Sequence, residues 1–129
     1  MWVFTTDGMY SARVDEFCED GEVVIRARAE QDLQNFLIEL TKLGYVAKPE
    51  ILQIEHADYL FRVIVDKIAW GDYLQDAAMS IDYGPGGFKG TIDHADKARH
   101  VAYYKVWSAM CTFQESEIQR RYEVEGSNE

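Results

Sequence analysis

Aromatic and β-branched residues dominate Trp2 to Thr6, Asp7-Gly8 is a two-residue turn signal, and Met9 to Val14 forms a second short run. That order predicts a β-hairpin at the start of the chain. A further turn at Glu19-Asp20-Gly21-Glu22 introduces a third strand, in which Val23, Ile25 and Ala27 alternate with Val24, Arg26 and Arg28. The alternation gives that strand one apolar face and one basic face. From Ala29 to Leu43 the period changes. Leu33, Phe36, Leu37, Leu40 and Leu43 recur at spacings of three and four, acids occupy the first turn, Lys42 the last, and Gly44 follows as a C-cap. These are the marks of an amphipathic helix.

Beyond the break at Pro49, residues 51–55 read as a short strand and residues 59–65 as a stronger one. Asp66 can then cap a helix over 67–81, with Ile68, Trp70, Leu74, Ala77, Ala78 and Ile81 on its apolar stripe. Residues 82–90 hold four glycines and a proline, too many for a helix or central strand, and form a loop. Asp93 can cap a last helix running to about Tyr122, followed by an acidic, frayed tail over 123–129. The order β-β-β-α-β-β-α-α predicts an α+β fold: a mainly antiparallel sheet of about five strands with three helices on one face, the C-terminal helix long. Residues 1–122 are read as a single domain.

The last helix carries more apolar surface than one sheet needs. Between Val101 and Phe113 only Lys105, Ser108 and Thr112 are polar, and they share one narrow stripe. Val106, Ala109, Met110 and Phe113 are expected to face the domain core. Val101, Tyr104, Trp107 and Cys111 lie on another flank and are the candidate interface of a homo-oligomer.

Charge narrows the partners. Asp plus Glu number 23 against 13 Lys plus Arg, for a net charge of -10 over 129 residues. Such a surface repels phosphate backbones and anionic lipid, so direct nucleic-acid or membrane binding is not expected. A basic protein partner fits it better. Two cysteines, Cys18 and Cys111, make no disulfide framework and suit a reducing compartment. With no secretion signal and no membrane span, the expected location is the cytoplasm of a bacterium or of a phage-infected cell.

Against that acidic background, residues 89–105 carry Lys89, Lys97, Arg99 and Lys105 and only two acids, Asp93 and Asp96. The adjoining glycines, Gly86 and Gly87 among them, allow an anion-binding nest of backbone N–H groups. Tyr83 and Phe88 offer rings for a base, Lys89 and Arg99 offer charge for phosphate, and Arg62 can assist from the sheet, as can Arg26 and Arg28. No Walker loop or dinucleotide fingerprint is present. Asp96 and His100, four apart on a helix, could begin a metal site that would need a third ligand such as His56. The sequence has no nucleophile elbow and no cysteine with a local nucleophile signature. No catalytic residue, cofactor or metal centre is therefore assigned.

The segments Met1-Trp2-Val3-Phe4-Thr5-Thr6-Asp7-Gly8, Val24-Ile25-Arg26-Ala27-Arg28, Ala57-Asp58-Tyr59-Leu60-Phe61-Arg62, Ile81-Asp82-Tyr83 with Phe88-Lys89, and Ala102-Tyr103-Tyr104-Lys105-Val106-Trp107 resemble, in that order, a family of small bacterial and phage proteins. The family pattern has a shorter loop with asparagine in place of Gly87, and a histidine in place of Tyr104. What the resemblance implies is a compact binding protein, for phage members in counter-defence. The leading expectation is thus a non-catalytic protein that sequesters or senses a phosphorylated small ligand, such as a nucleotide signal. Two alternatives stand beside it. One is an acidic inhibitor that imitates DNA against a nucleic-acid-binding defence protein, through Asp15, Glu16, Glu19 and Asp20. The other is a metal-dependent hydrolase using Asp96 and His100.

Overall fold

In the computed structural model, which describes residues 1–128, the chain divides into two compact units, Met1–Asp82 and Tyr83–Glu129. Each unit follows from a different use of apolar sequence.

The first unit is a five-stranded antiparallel sheet with two helices. Strands β1 (Trp2–Thr5), β2 (Gly8–Arg13), β3 (Glu22–Ala27), β4 (Leu52–Gln53) and β5 (Phe61–Asp66) lie in the order β1-β2-β3-β5-β4. The expected hairpin is β1 and β2, paired from Trp2↔Ser11 to Thr5↔Gly8. Helix α1 (Glu30–Lys42) packs on β2, β3 and β5, and α2 (Lys67–Met79) on β3 and β5. Since α1 and α2 also touch each other, they cover one face together. The fold class is α+β, with three α-helices among the described residues.

Pleating decides the core. Tyr10 and Ala12, Val23, Ile25 and Ala27, and Val63 and Val65 all point to the helices, where they meet Leu33, Phe36 and Leu40 of α1 and Ala69, Trp70 and Tyr73 of α2. At its centre four rings touch: Phe36 and Tyr73 are 4.9 Å apart and edge-on, and Trp70 stacks on Tyr73 at 5.6 Å. Tyr10 closes the group at 5.8 Å from Phe36. Buried hydroxyls require partners. Tyr10 donates to the Asp32 carbonyl at 2.7 Å, and Tyr73 donates to Asp7 Oδ2 at 2.7 Å while Thr5 Oγ1 lies 2.8 Å from it. Burial pushes both phenols above the ordinary tyrosine range, and it raises the Asp7 carboxyl as well.

Asp32, itself buried, pins the first turn of α1 to the hairpin by accepting the Met9 N–H at 3.1 Å. That approach needs Gly8, because a Cβ there would lie 2.3 Å from Asp32 Cγ. At the other end of α1, Gly44 has φ +98, and the N–H groups of Gly44 and Tyr45 donate to the carbonyls of Thr41 and Leu40. This is the Schellman arrangement that the glycine signalled.

Several expectations change. The strand expected over 51–55 shrinks to Leu52–Gln53 at the sheet edge. The second helix ends at Met79, where Ser80 turns back to the Asp76 carbonyl, and its Asp66 makes no side-chain cap bond. In the second unit, a short 3₁₀ turn (Phe88–Thr91) leads to α3 (Lys97–Ser127). Asp93 does not cap it: its carboxylate accepts the Ala95 N–H at 2.9 Å, closing a local turn. Asp96 caps it instead, accepting the Arg99 N–H at 3.1 Å. The helix continues through residues expected to fray, 123–127, while Glu129 lies outside the described residues.

The largest correction concerns burial. No residue of α3 is buried, and Val106, Met110 and Phe113, expected to face a core, are 44%, 59% and 57% exposed. Trp2 is exposed on the outer strand of the sheet. No helix is long and apolar enough to cross a membrane, among the described residues.

Candidate functional site

The sheet face opposite the helices carries a cluster of arginines. Strand alternation sends Ile25 and Ala27 to the core, so Arg26 must point the other way. Register then aligns a row across all five strands: Trp2 beside Ser11, Ser11 beside Arg26, Arg26 beside Arg62, and Arg62 beside Leu52. Two arginines directly opposite on neighbouring strands repel each other.

Tyr59, just before β5, organises them. The residue is 3% exposed, with the Arg26 Cζ 4.5 Å and the Arg28 Cζ 4.1 Å from its ring centroid. Both distances suit cation–π contact. Arg26 Nη2 donates to the buried Ser11 hydroxyl at 2.7 Å, and Arg62 Nη2 reaches the Tyr59 carbonyl at a long 3.5 Å. The Nε–H groups of Arg26 and Arg62 are buried and have no hydrogen-bond acceptor. Among the described residues, none of the three arginines has a carboxylate within ion-pair distance; the ion pairs lie elsewhere, at Lys42–Glu39, Arg99–Asp96 and Arg120–Glu117. In a chain with ten more acids than bases, three adjacent arginines that meet no acid are unusual. An oxyanion would meet these guanidinium charges through the N–H donors that no protein acceptor takes.

The glycine-loop residues form a second cluster, within the second unit. Phe88 stacks on Tyr103 at 6.1 Å and 13°, and Tyr83 meets the Phe88 edge at 5.4 Å. Gly87, at φ +66, opens the 3₁₀ turn, and Gly86 packs so that a Cβ there would meet the Gly90 Cα at 3.3 Å. The N–H groups of Gly87 and Gly90 donate back to the carbonyls of Gly84 and Gly87, so these two amides close turns.

Its cations are engaged too. Lys89 Nζ lies 4.9 Å from the Trp107 ring centre and 5.8 Å from that of Tyr104. Arg99 donates to Asp96 Oδ2 at 2.9 Å and to the Tyr103 hydroxyl at 2.8 Å. Those bonds from Arg99 hold the Asp96 carboxyl below the usual aspartate range. Tyr83 and Phe88 therefore lie by Tyr103, as does Arg99, and Lys89 lies by Tyr104 and Trp107, all on the first turns of α3. Arg62 belongs to the first unit, with Arg26 and Arg28.

Asp96, the acid of the suggested metal pair, points at Arg99, while the His94 and His100 rings stack at 6.1 Å. Among the described residues, no three histidine, cysteine or acidic side chains are placed to hold a metal ion. The basic face of β3 was readable from alternation, and the pairing of Arg26 with Ser11 and Arg62 was not, because register is a property of the sheet. Comparison with protein families, curated proteins and solved structures finds no match for this chain.

Proposed function

We propose that this protein binds a small phosphorylated ligand, of the nucleotide type, through the arginine face of its sheet. The observation that carries the reading is the set of Arg26, Arg28 and Arg62 around Tyr59, with two buried Nε–H donors and no paired acid among the described residues. Leaving guanidinium donors buried and unsatisfied is costly, and a phosphate accepts from two such forks at once. Arg62 keeps its expected role and gains two partners. Lys89 and Arg99 become supports of the loop cluster, since their charges already meet rings and a carboxylate. A compact phosphate also explains how an overall charge of -10 is compatible with anion binding: a few dedicated donors act at contact distance, where long-range repulsion is screened.

Calorimetry with inorganic pyrophosphate and a panel of nucleoside mono-, di-, tri- and cyclic phosphates tests this. Wild type should bind at least one compound saturably. Arg26→Gln and Arg62→Gln should each weaken that binding about tenfold or more, the expected loss for a charge-assisted hydrogen-bond pair. Lys89→Ala should leave it unchanged. No heat with any compound, or loss on Lys89→Ala alone, removes the reading.

A further inference from the structure

Helix α3 spans 31 residues without burying one, and its apolar positions are ordered. Val101, Tyr104, Trp107, Cys111, Ile118 and Tyr122 follow one another at 3, 3, 4, 7 and 4 residues, which keeps them on a single stripe from near one end of the helix to the other. Tyr104, Trp107, Ile118 and Tyr122 are 45–69% exposed. A shallow depression runs beside Ile118 and Tyr122, flanked by Glu115, Gln119 and Glu123. The stripe is crossed once, by Gln114 and Glu115 between Cys111 and Ile118, whereas the other apolar group, Val106, Met110 and Phe113, meets Glu117, Arg120 and Arg121 before Val124.

Charge is divided along the same helix. Residues 97–112 hold Lys97, Arg99 and Lys105 and no acid, whereas residues 113–127 hold Glu115, Glu117, Glu123 and Glu125 against Arg120 and Arg121. Lys89, seated over the Trp107 ring, adds a cation at the basic end. A second α3 laid parallel would set basic half on basic half and acidic half on acidic half. Laid antiparallel, it sets each half on its opposite.

We infer that α3 pairs antiparallel with α3 of a second copy of this chain, along the stripe from Val101 to Tyr122. The two-fold axis passes between Thr112 and Phe113, a centre that places the Trp107 of one copy level with Ile118 of the other and Tyr104 within one residue of Tyr122. Isologous contact of this kind is the commonest way in which identical chains associate. It gives the shallow depression at Ile118 and Tyr122 an aromatic occupant and leaves the arginine face of the sheet outside its argument, so the dimer and the ligand reading stand or fall separately.

Sedimentation velocity of the full chain at about 10–100 μM, a range that reveals micromolar dimers, should give the mass of two copies. Trp107→Glu should shift it to one copy with its helical circular dichroism retained, and Phe113→Glu, off the stripe, should not. Direction is read by cross-linking on a Cys18→Ser, Cys111→Ser background. A mixture of Ser108→Cys and Gln119→Cys chains should link to each other through a short bismaleimide, with little linking of either to itself. Wild type at one-copy mass throughout overturns the inference, as does dissociation by Phe113→Glu but not Trp107→Glu. Predominant self-linking at position 108 overturns the antiparallel arrangement.

Discussion

Phe36 and Phe113 are both phenylalanines near the middle of a helix, and their surroundings are opposite. Phe36 is fully buried among Tyr10, Trp70 and Tyr73, whereas Phe113 is 57% exposed on a helix that buries nothing. The first unit closes its own account, because a pleated sheet offers α1 and α2 a matching apolar face. In the second, one loop and one 3₁₀ turn precede a helix of 31 residues, and they reach only its first turns through Phe88 on Tyr103 and Lys89 on Trp107. The lesson is that an apolar stripe says how much surface a helix must cover and nothing about which molecule covers it.

The sharpest way to break this contrast is to truncate both rings. Phe36→Ala should cost about 3–5 kcal/mol in urea unfolding, the usual loss for a buried phenylalanine. Phe113→Ala should stay within about 0.5 kcal/mol, as expected of an exposed site away from special features. Equal costs would show that the second unit has a core of its own.

A smaller effect separates the two units at their helix starts. Asp96 supplies the side-chain cap that α3 has, whereas the residue before α1, Ala29, supplies none and leaves that helix to its packing and to Asp32. Asp96→Ala should therefore destabilise the first turn of α3 by about 1 kcal/mol, read as faster amide exchange at Arg99 and His100 with α1 unaffected. The same substitution frees Arg99 from its carboxylate, so the Tyr103 stack should loosen with it.

The smallest effect is electrostatic and belongs to the first unit. Burial raises the Asp7 carboxyl above its ordinary range, more than the Tyr73 hydrogen bond lowers it, so the native state holds this proton more tightly than the unfolded chain does. Whatever stability that proton confers is complete below the ordinary aspartate pKa and is lost as pH rises through the raised one. Asp7→Asn cannot ionise and keeps an oxygen for the Tyr73 hydroxyl. Its melting temperature relative to wild type should rise between acidic and neutral pH by roughly 1–2 °C, a shift that corresponds to a few tenths of a kcal/mol. A relative fall over that interval would show that the ionised carboxylate is the better partner for Tyr73.

Much of the first unit was legible in the chain. Alternation in 23–28 and the three-four spacing of Leu33, Phe36, Leu37 and Leu40 fixed strand, helix and inward face, because these periods are backbone geometry written into side-chain order. Tyr10 and Tyr73 were harder to see. A tyrosine enters a core only where a carbonyl or carboxylate waits for its hydroxyl, and Asp32 and Asp7 are brought there by folding. The candidate site divides in the same manner. The Gly-rich loop announced itself by composition, and Tyr83, Phe88 and Lys89 lie by the first turns of α3, which carry Arg99. Yet whether a lysine or an arginine has charge to spare depends on its neighbours, and Trp107 and Asp96 take up Lys89 and Arg99.

Taken alone, the order of residues determined the α+β class, the two faces of the third strand, the most regular helix with its glycine end, and the excess of apolar surface on the last helix. Each is a local period or a local turn, which neighbouring residues suffice to encode. Tertiary structure decided that Arg26 and Arg62 stand side by side with no acid paired to them among the described residues, and that α3 buries none of its apolar residues. Register can join residues far apart in the chain, 36 positions in the case of Arg26 and Arg62, and no local pattern carries that information.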